Sequence, residues 1–352
     1  MRIDKLAYSG VAVAAITAAA ITTAAIATMA AIAGCSAGAT AAAGGQPKPT
    51  VITVDSVPAA EEGGLYVAAY EGFFAQQGLA VEITPITGGE AGIPDLQAGR
   101  ADLVAGNYVS FILAQMAGQF DGRPANMRII AAGSQLQQGS EALYVMPGSK
   151  FKTVAALAQD HARVGLNTAN DVGDLMVASL LESAGYSLKS IRQVIPAGGF
   201  PALLGMLPAG KVDAIWLPQP LGEIAEQEIG AVPLADFDQG SMQAFPFTGY
   251  IGTTQWVRAH PSTVAAFLRA LGEGQELADT DRAAVEAAME KYTGIKPIVA
   301  DTMAIDSYPL ELDVPQLQRV ADSMFQYGLT PGMKSPYQII SMIQPEPGLI
   351  RK

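Results

Sequence analysis

Cysteine is all but missing: the 352 residues contain one. That excludes an intramolecular disulfide framework and a Cys-rich zinc site. Histidine occurs twice, at positions far apart in the chain. A His-based metal cluster is therefore not expected, and neither a metal nor a cofactor is assigned. Charge is sparse, at 15% of residues, and biased, with 21 Lys and Arg against 33 Asp and Glu. A nucleic-acid partner requires a basic footprint, which a chain of net charge −12 lacks. Half the residues are apolar, so a chain of this length buries a large core rather than remaining disordered.

Long hydrophobic runs are confined to the N-terminus. Arg2 and Lys5 precede an almost wholly apolar stretch from Val11 to Ala33, long enough to span a bilayer as a helix. It ends in Ile32-Ala33-Gly34-Cys35. This resembles the bacterial lipobox, in which small residues admit the chain to a peptidase and the Cys thiol takes a diacylglycerol. The only cysteine falls at that position. Residues 1–34 are expected to be a lipoprotein signal peptide and Cys35 the lipidated N-terminus. Residues 35–49, rich in Ala, Gly, Ser, Thr and Pro, are expected to form a flexible tether. The alternative is an uncleaved transmembrane helix. The expected location is outside the cell membrane or in the periplasm, held to the membrane by lipid.

From about Thr50 onward, short apolar runs alternate with amphipathic stretches. Strands are expected at 51–54, 81–84, 103–105, 128–132 and 142–145, with helices at 65–77, 92–98 and 109–117 between them. This alternation indicates a parallel or mixed α/β sheet. The pattern restarts after Gly148, and a second α/β unit runs to about residue 245. A strand at 249–253 follows, and then a mostly helical tail from Pro261.

Catalytic motifs are scarce. Gly205 to Lys211 fits the phosphate-loop spacing, but Val212 stands where Ser or Thr is required, and a strand follows instead of a helix. No nucleophile elbow and no H-E-x-x-H is present. His161 and His260 fit surface or capping roles, and no acidic pair is defined well enough for general acid–base work. No enzymatic activity is assigned.

Four segments carry a family resemblance. Tyr66-Val-Ala-Ala-Tyr-Glu-Gly72-Phe73-Phe74 with Gly78-Leu79-Ala-Val-Glu-Ile83 is similar to the first helix and second strand of ABC-importer solute-binding proteins of the nitrate/sulfonate/taurine and thiamine-precursor family. Asp95 to Leu103, Ala202 to Pro220 and Trp256 to Pro261 resemble three further steps of that family, in the family's order. The resemblance covers nearly all of Val51 to Ile343. It implies a periplasmic-binding-protein type II fold, with two α/β lobes joined by two crossing hinge segments and ligand bound between them. Lobe 1 is expected over 50–146 and 247–352 and lobe 2 over 147–246, with hinges near Gly139–Val145 and Ala244–Thr248. The implied partners are a small-molecule solute, an ABC permease and, through it, an ATPase; the protein itself is expected to be a monomer. Phe73 and Phe74 are expected in the core.

In open α/β sheets ligands sit outside the carboxyl ends of the strands. Four loops meet that condition: 56–66, 106–110, 167–171 and 218–220, the last with Gln219 where the family usually has Glu. Thr248 and Tyr250 join from the returning strand. The candidate contacts are Glu61, Tyr66, Asn107, Tyr108, Ser110, Thr168, Asn170, Asp171, Gln219, Thr248 and Tyr250. Asn107, Thr168, Asn170 and Asp171 double as helix caps, the tyrosines as core, and Glu61 and Glu62 as solvated charge. Asp171 and Asp174 in the first turn of a helix already complement its dipole and repel an anion. The loops contain no Lys or Arg. A neutral, cationic or zwitterionic nitrogenous ligand, such as a thiamine-type pyrimidine, is therefore expected. The alternatives are a sulfonate, taurine or nitrate held by backbone N–H groups, a thiamine-pyrimidine biosynthetic enzyme of the same fold, or a sensory or adhesion lipoprotein.

Overall fold

The structure, a computed structural model, describes residues 48–120, 127–344 and 350–351. The leader, Cys35 and most of the tether lie outside the described residues. Among those described, no helix is long and apolar enough to cross a membrane.

Two five-stranded sheets organise the chain. The first has the order β2-β1-β3-β10-β4, from β1 (Thr50–Ser56), β2 (Leu79–Pro85), β3 (Leu103–Asn107), β4 (Met127–Ala132) and β10 (Thr248–Thr253). The second has the order β7-β6-β8-β5-β9, from β5 (Glu141–Val145), β6 (Arg163–Gly165), β7 (Arg192–Val194), β8 (Ala214–Pro218) and β9 (Val232–Asp236). The orders correspond position by position. In each sheet the fourth strand, β10 or β5, runs antiparallel to both neighbours. Each is also the first strand after the chain crosses between lobes. This is the periplasmic-binding-protein type II architecture.

The lobe boundary differs from the expected one. β5 lies between β8 and β9 in the second sheet, so lobe 2 begins at Glu141 and not after residue 146. The crossing segments are residues 133–140 and 237–247. They hold each other as an extended pair: Leu136 N–H donates to Phe245 O (3.0 Å) and Phe247 N–H to Ser134 O (2.9 Å). The Gln135 amide donates to Ala244 O (2.6 Å). Gln275 anchors the start of the first segment, its amide donating to Ala132 O (2.7 Å) and Gly133 O (3.1 Å).

The expected helix 65–77 is two helices, Gly63–Tyr70 and Phe73–Gln76, because Gly72 takes φ +75° and turns the chain. Phe74 is buried and stacks on Phe267 at 5.3 Å, while Phe73 packs on the edge of the same cluster. Phe267 belongs to the long helix Pro261–Thr280, which returns to lobe 1 and crosses the helix Gly63–Tyr70. A Cβ on Gly274 would stand 2.4 Å from Gly64 O, so this crossing requires a residue without a side chain. The Gly205–Lys211 motif ends the helix Gly199–Met206 and turns into β8, as expected of a segment with no phosphate role.

The lobes are closed on each other. Ala60 N–H donates across to Gln219 O (2.9 Å). The Ser110 hydroxyl donates to Asp171 Oδ1 (2.6 Å), and the Thr168 hydroxyl to Glu90 Oε1 (2.8 Å). At the periphery, Lys296 pairs with Glu228 at 2.7 Å.

Candidate functional site

The carboxyl ends of β1, β2 and β3 meet those of β6 and β8 where the lobes touch. Between them lies a cavity of about 20 Å³, lined by Val57, Glu61, Asn107, Asn167, Trp216 and Phe247 among others. That volume admits about one water molecule, so a larger guest requires the lobes to part. Two larger cavities, about 370 and 550 Å³, lie along the 310–312 segment. No residue of the second sheet lines either of them.

Lobe 1 supplies Glu61 through a short turn. Ala60–Glu62 form a 3-10 turn that runs directly into the helix Gly63–Tyr70. The Tyr308 hydroxyl donates to Ala60 O at 2.6 Å and fixes the turn from behind. Both glutamates are consequently buried, in contrast to the solvated charge that a Gly-flanked loop suggests. Glu61 faces the cavity, whereas neither carboxylate oxygen of Glu62 finds a hydrogen-bond partner.

Asn107 closes β3 and performs two tasks. Its Oδ1 accepts from Ser110 N–H (2.8 Å), capping the following helix. Its amide donates to Asp171 (3.3 Å). Asp171 sits at the start of the helix Val172–Ser183, where its own N–H donates to Asp174 Oδ2 (3.1 Å). Ser110, Asn107 and Asp171 therefore form a latch between the lobes. Thr168 makes a second latch with Glu90.

The other candidates lie elsewhere. Tyr66 is core: its hydroxyl donates to Val57 O (3.1 Å) and its ring stacks on Tyr292 at 5.4 Å. Tyr108 and Tyr250 are fully buried, and Tyr250 packs edge-on against Phe267. Thr248 is buried at the start of β10, where its hydroxyl meets that of Ser134 in the first crossing segment at 2.9 Å. Gln219 supports its own turn by accepting from Glu223 N–H (3.1 Å) and donating to Gly139 O (3.1 Å). Asn170 is exposed at φ +54°. None of these six lines the cavity.

Sequence reasoning did not single out Glu141, Trp216, Phe200, Asn167 or Asp306. Glu141 opens β5 and is 1% exposed; its Oε2 accepts the Trp216 indole N–H at 2.5 Å, while its Oε1 has no partner. Trp216, on β8, meets Phe200 edge-on at 5.1 Å. Gly173 makes room for the indole, since a Cβ there would lie 2.5 Å from Trp216 Cε3. Asn167 is 8% exposed and lines the cavity, with Oδ1 unpartnered. A glutamate at the head of the apolar run Ala142–Val145 was the one available signal for Glu141.

These carboxyls share an electrostatic problem. Burial, then the charge of Asp306, pushes Glu61 up to about 8. Burial, then the charge of Glu61, raises Glu141 well above the usual carboxylate range. Burial raises Asp306 to about 7. Burial and then Glu90 raise Asp171 to about 7. The ion pairs among the described residues involve none of these four groups, and no Lys or Arg lines the cavity. Buried charge without a counterion is costly, which is why these carboxyls hold their protons to higher pH than exposed ones. Among the described residues no cluster of His, Cys, Asp and Glu is arranged to hold a metal ion.

Comparison with known proteins agrees with the fold. The alkanesulfonate-binding protein SsuA from Xanthomonas axonopodis pv. citri, bound to MOPS, superposes with a TM-score of 0.69 at 18% identity, covering 84% of this chain and 98% of its own. The nitrate-binding protein NrtA from Synechocystis PCC 6803 gives 0.70 at 14% identity, covering 82% and 84%. The desulfurization enzyme DSZB gives 0.61 at 16% identity, covering 84% and 97%. No curated protein sequence matches the chain. Residues 60–282, well over half of the chain and including most of the cleft, match the family model described as NMT1/THI5 like, and the chain belongs to that family.

Proposed function

We propose that this protein is the solute-binding component of an ABC importer. It is exported, carries lipid on Cys35, and is tethered by residues 35–49 to the outer face of the cell membrane. It captures a small organic solute between its lobes and presents the closed form to a permease, whose ATPase supplies the energy. The observation that carries this reading is the cleft itself: opposed strand ends from two matching sheets, a paired hinge, and side chains from both lobes around one cavity. Hinge closure over a ligand is the motion such an arrangement performs.

The ligand is neutral, cationic or zwitterionic and nitrogenous; a thiamine-type pyrimidine fits that class. The support is electrostatic. Glu61 lines the cavity, Glu141 stands behind Trp216, and no base offsets them. SsuA and NrtA, by their names, bind alkanesulfonate and nitrate, which makes an anion the second reading. The aspartates at the start of the helix Val172–Ser183 oppose an anion at that N-terminus. DSZB shares the fold and is an enzyme, but the lining residues of this cleft offer carboxyl, amide, hydroxyl and aromatic groups and no histidine or cysteine. That set suits binding better than turnover.

A thermal-shift panel of sulfonates, nitrate, amino acids and aminopyrimidines tests the reading. Saturable stabilisation by a nitrogenous member is expected. Tight binding of a simple sulfonate would overturn the charge argument.

A further inference from the structure

The proposed solute-binding role, on which this inference rests, leaves open what shape and charge of solute the cleft recognises. Three observations narrow it. The first is a set of orphan acceptors. Glu141 Oε1, Asp306 Oδ1 and Asn167 Oδ1 are buried and accept no hydrogen bond, and of the three residues Asn167 lines the cavity. Buried acceptors are ordinarily paired, and an unpaired one costs about 1–3 kcal/mol. The Asn167 oxygen, which faces the cavity beside Glu61, calls for a guest that brings N–H donors.

The second observation is the charge of the wall. Glu61 faces the cavity from lobe 1, and Glu141, at the head of the first lobe-2 strand, is buried beside it behind Trp216, so carboxyls of both lobes bear on the same space. No basic side chain competes for either. The third is the shape and hardness of the wall. Trp216 and Phe200 form an aromatic side to the cavity, and the indole N–H is already committed to Glu141, which leaves the ring to act through its π-system. Trp is the best of the aromatic faces for a cation. A delocalised planar cation is weakly hydrated and offers a fork of N–H groups matched to carboxylates. A compact ammonium is more strongly hydrated and lacks the planar fork, so it gains less from an aromatic wall.

We propose that the cleft selects a small planar cation of the amidinium or guanidinium class, its N–H edges taken by Glu61 and Asn167, its face laid against Trp216, and its charge balanced by Glu61 with Glu141 behind the indole. Admission requires opening at residues 133–140 and 237–247, since the closed cavity holds about one water. Reclosure brings Asn167 and Trp216, backed by Glu141, onto a cation already seated on Glu61.

Calorimetry on the purified full chain tests this with benzamidine, methylguanidine, neutral benzamide and benzenesulfonate. Benzamidine or methylguanidine is expected to bind saturably and at least tenfold more tightly than benzamide, with benzenesulfonate weakest. Glu141→Gln and Asn167→Ala should each weaken the cation at least tenfold. Asn167→Asp, which adds a carboxylate without removing volume, should strengthen it, and it keeps the test valid should Glu141→Gln fail to fold. Binding of benzamide as tight as benzamidine, or preference for benzenesulfonate, overturns the cation assignment and leaves the solute-binding role standing. Failure of both cations overturns it as well. If in addition no member of the thermal-shift panel binds, the solute-binding role itself falls.

Discussion

Replacing Glu61 by Gln should make the unliganded protein more stable in mild alkali. The side chain is 7% exposed, and no Lys or Arg lines the cavity it faces. Its carboxyl rises from 4.5 to about 8, first through burial and then through the charge of Asp306. The folded state therefore keeps a proton that the unfolded chain gives up near pH 4.5. Stability from this group is fully present below about pH 4.5 and is lost as pH rises through about 8. At about 1.36 kcal/mol per decade, the rise corresponds to about 5 kcal/mol. Glu61 and Glu141 titrate together, so one substitution recovers only part of this, on the order of 2–3 kcal/mol. Gln has the size and neutrality of the protonated acid and does not titrate. In a protein of this size each kcal/mol moves Tm by about 2–4 °C. Thermal unfolding of wild type and Glu61→Gln between pH 5 and 8.5 should start together at the acid end and diverge to about 5 °C or more at the alkaline end, with the variant higher. Parallel curves, or a variant that falls faster, would refute the claim that a buried, uncompensated carboxyl sits at this position.

Three further outcomes are expected. Ser110→Ala removes the 2.6 Å bond to Asp171 across the lobes; above pH 8, where Asp171 (about 7) is ionised, a hydrogen bond to a charged group is worth about 1.5–3 kcal/mol, so small-angle scattering there should report a larger radius of gyration and ligand should bind roughly tenfold or more weakly. Gly173→Ala drives a methyl to 2.5 Å from Trp216; overpacking of that kind costs about 1–3 kcal/mol, readable as a lower Tm and a shifted Trp216 emission in a Trp256→Phe background. Cys35→Ser should move the protein from the membrane fraction to the soluble fraction, and firm retention in the membrane would argue against lipidation.

Most of the architecture was legible because it is written in local patterns. Val51–Val54 and Leu103–Ala105 are short, mostly apolar runs, and such segments locate strands without knowledge of their neighbours. The helix expected over 65–77 missed the break at Gly72, where a positive φ turns the chain and splits it. The boundary at residue 146 was misread for a physical reason: β5 follows the crossing segment and pairs with β8 and β9, and nothing local distinguishes a strand that ends one lobe from a strand that opens the next. At the cleft, Asn107, Ser110, Thr168 and Asp171 were recognisable as polar groups at strand ends. Their pairing with each other and with Glu90 was not, because it joins positions 61 to 78 residues apart. Tyr66, Tyr108 and Tyr250 look alike as amphipathic aromatics, and only the fold shows that the Tyr66 hydroxyl is spent on Val57 O and that Tyr108 and Tyr250 are fully buried. Glu141 and Asp306 gain their meaning from Glu61, far away in sequence, and burial is what turns three scattered acids into one cluster.

The central claim is that the contact between the two sheets is a solute-binding cleft. A crystal structure of the chain soaked with the strongest stabiliser from the solute panel tests it most directly. The account predicts ligand density between Glu61, Asn107, Asn167 and Trp216, touching both lobes. Density confined to the outer cavities beside Leu310 and Leu312, with the cleft unchanged, would contradict it.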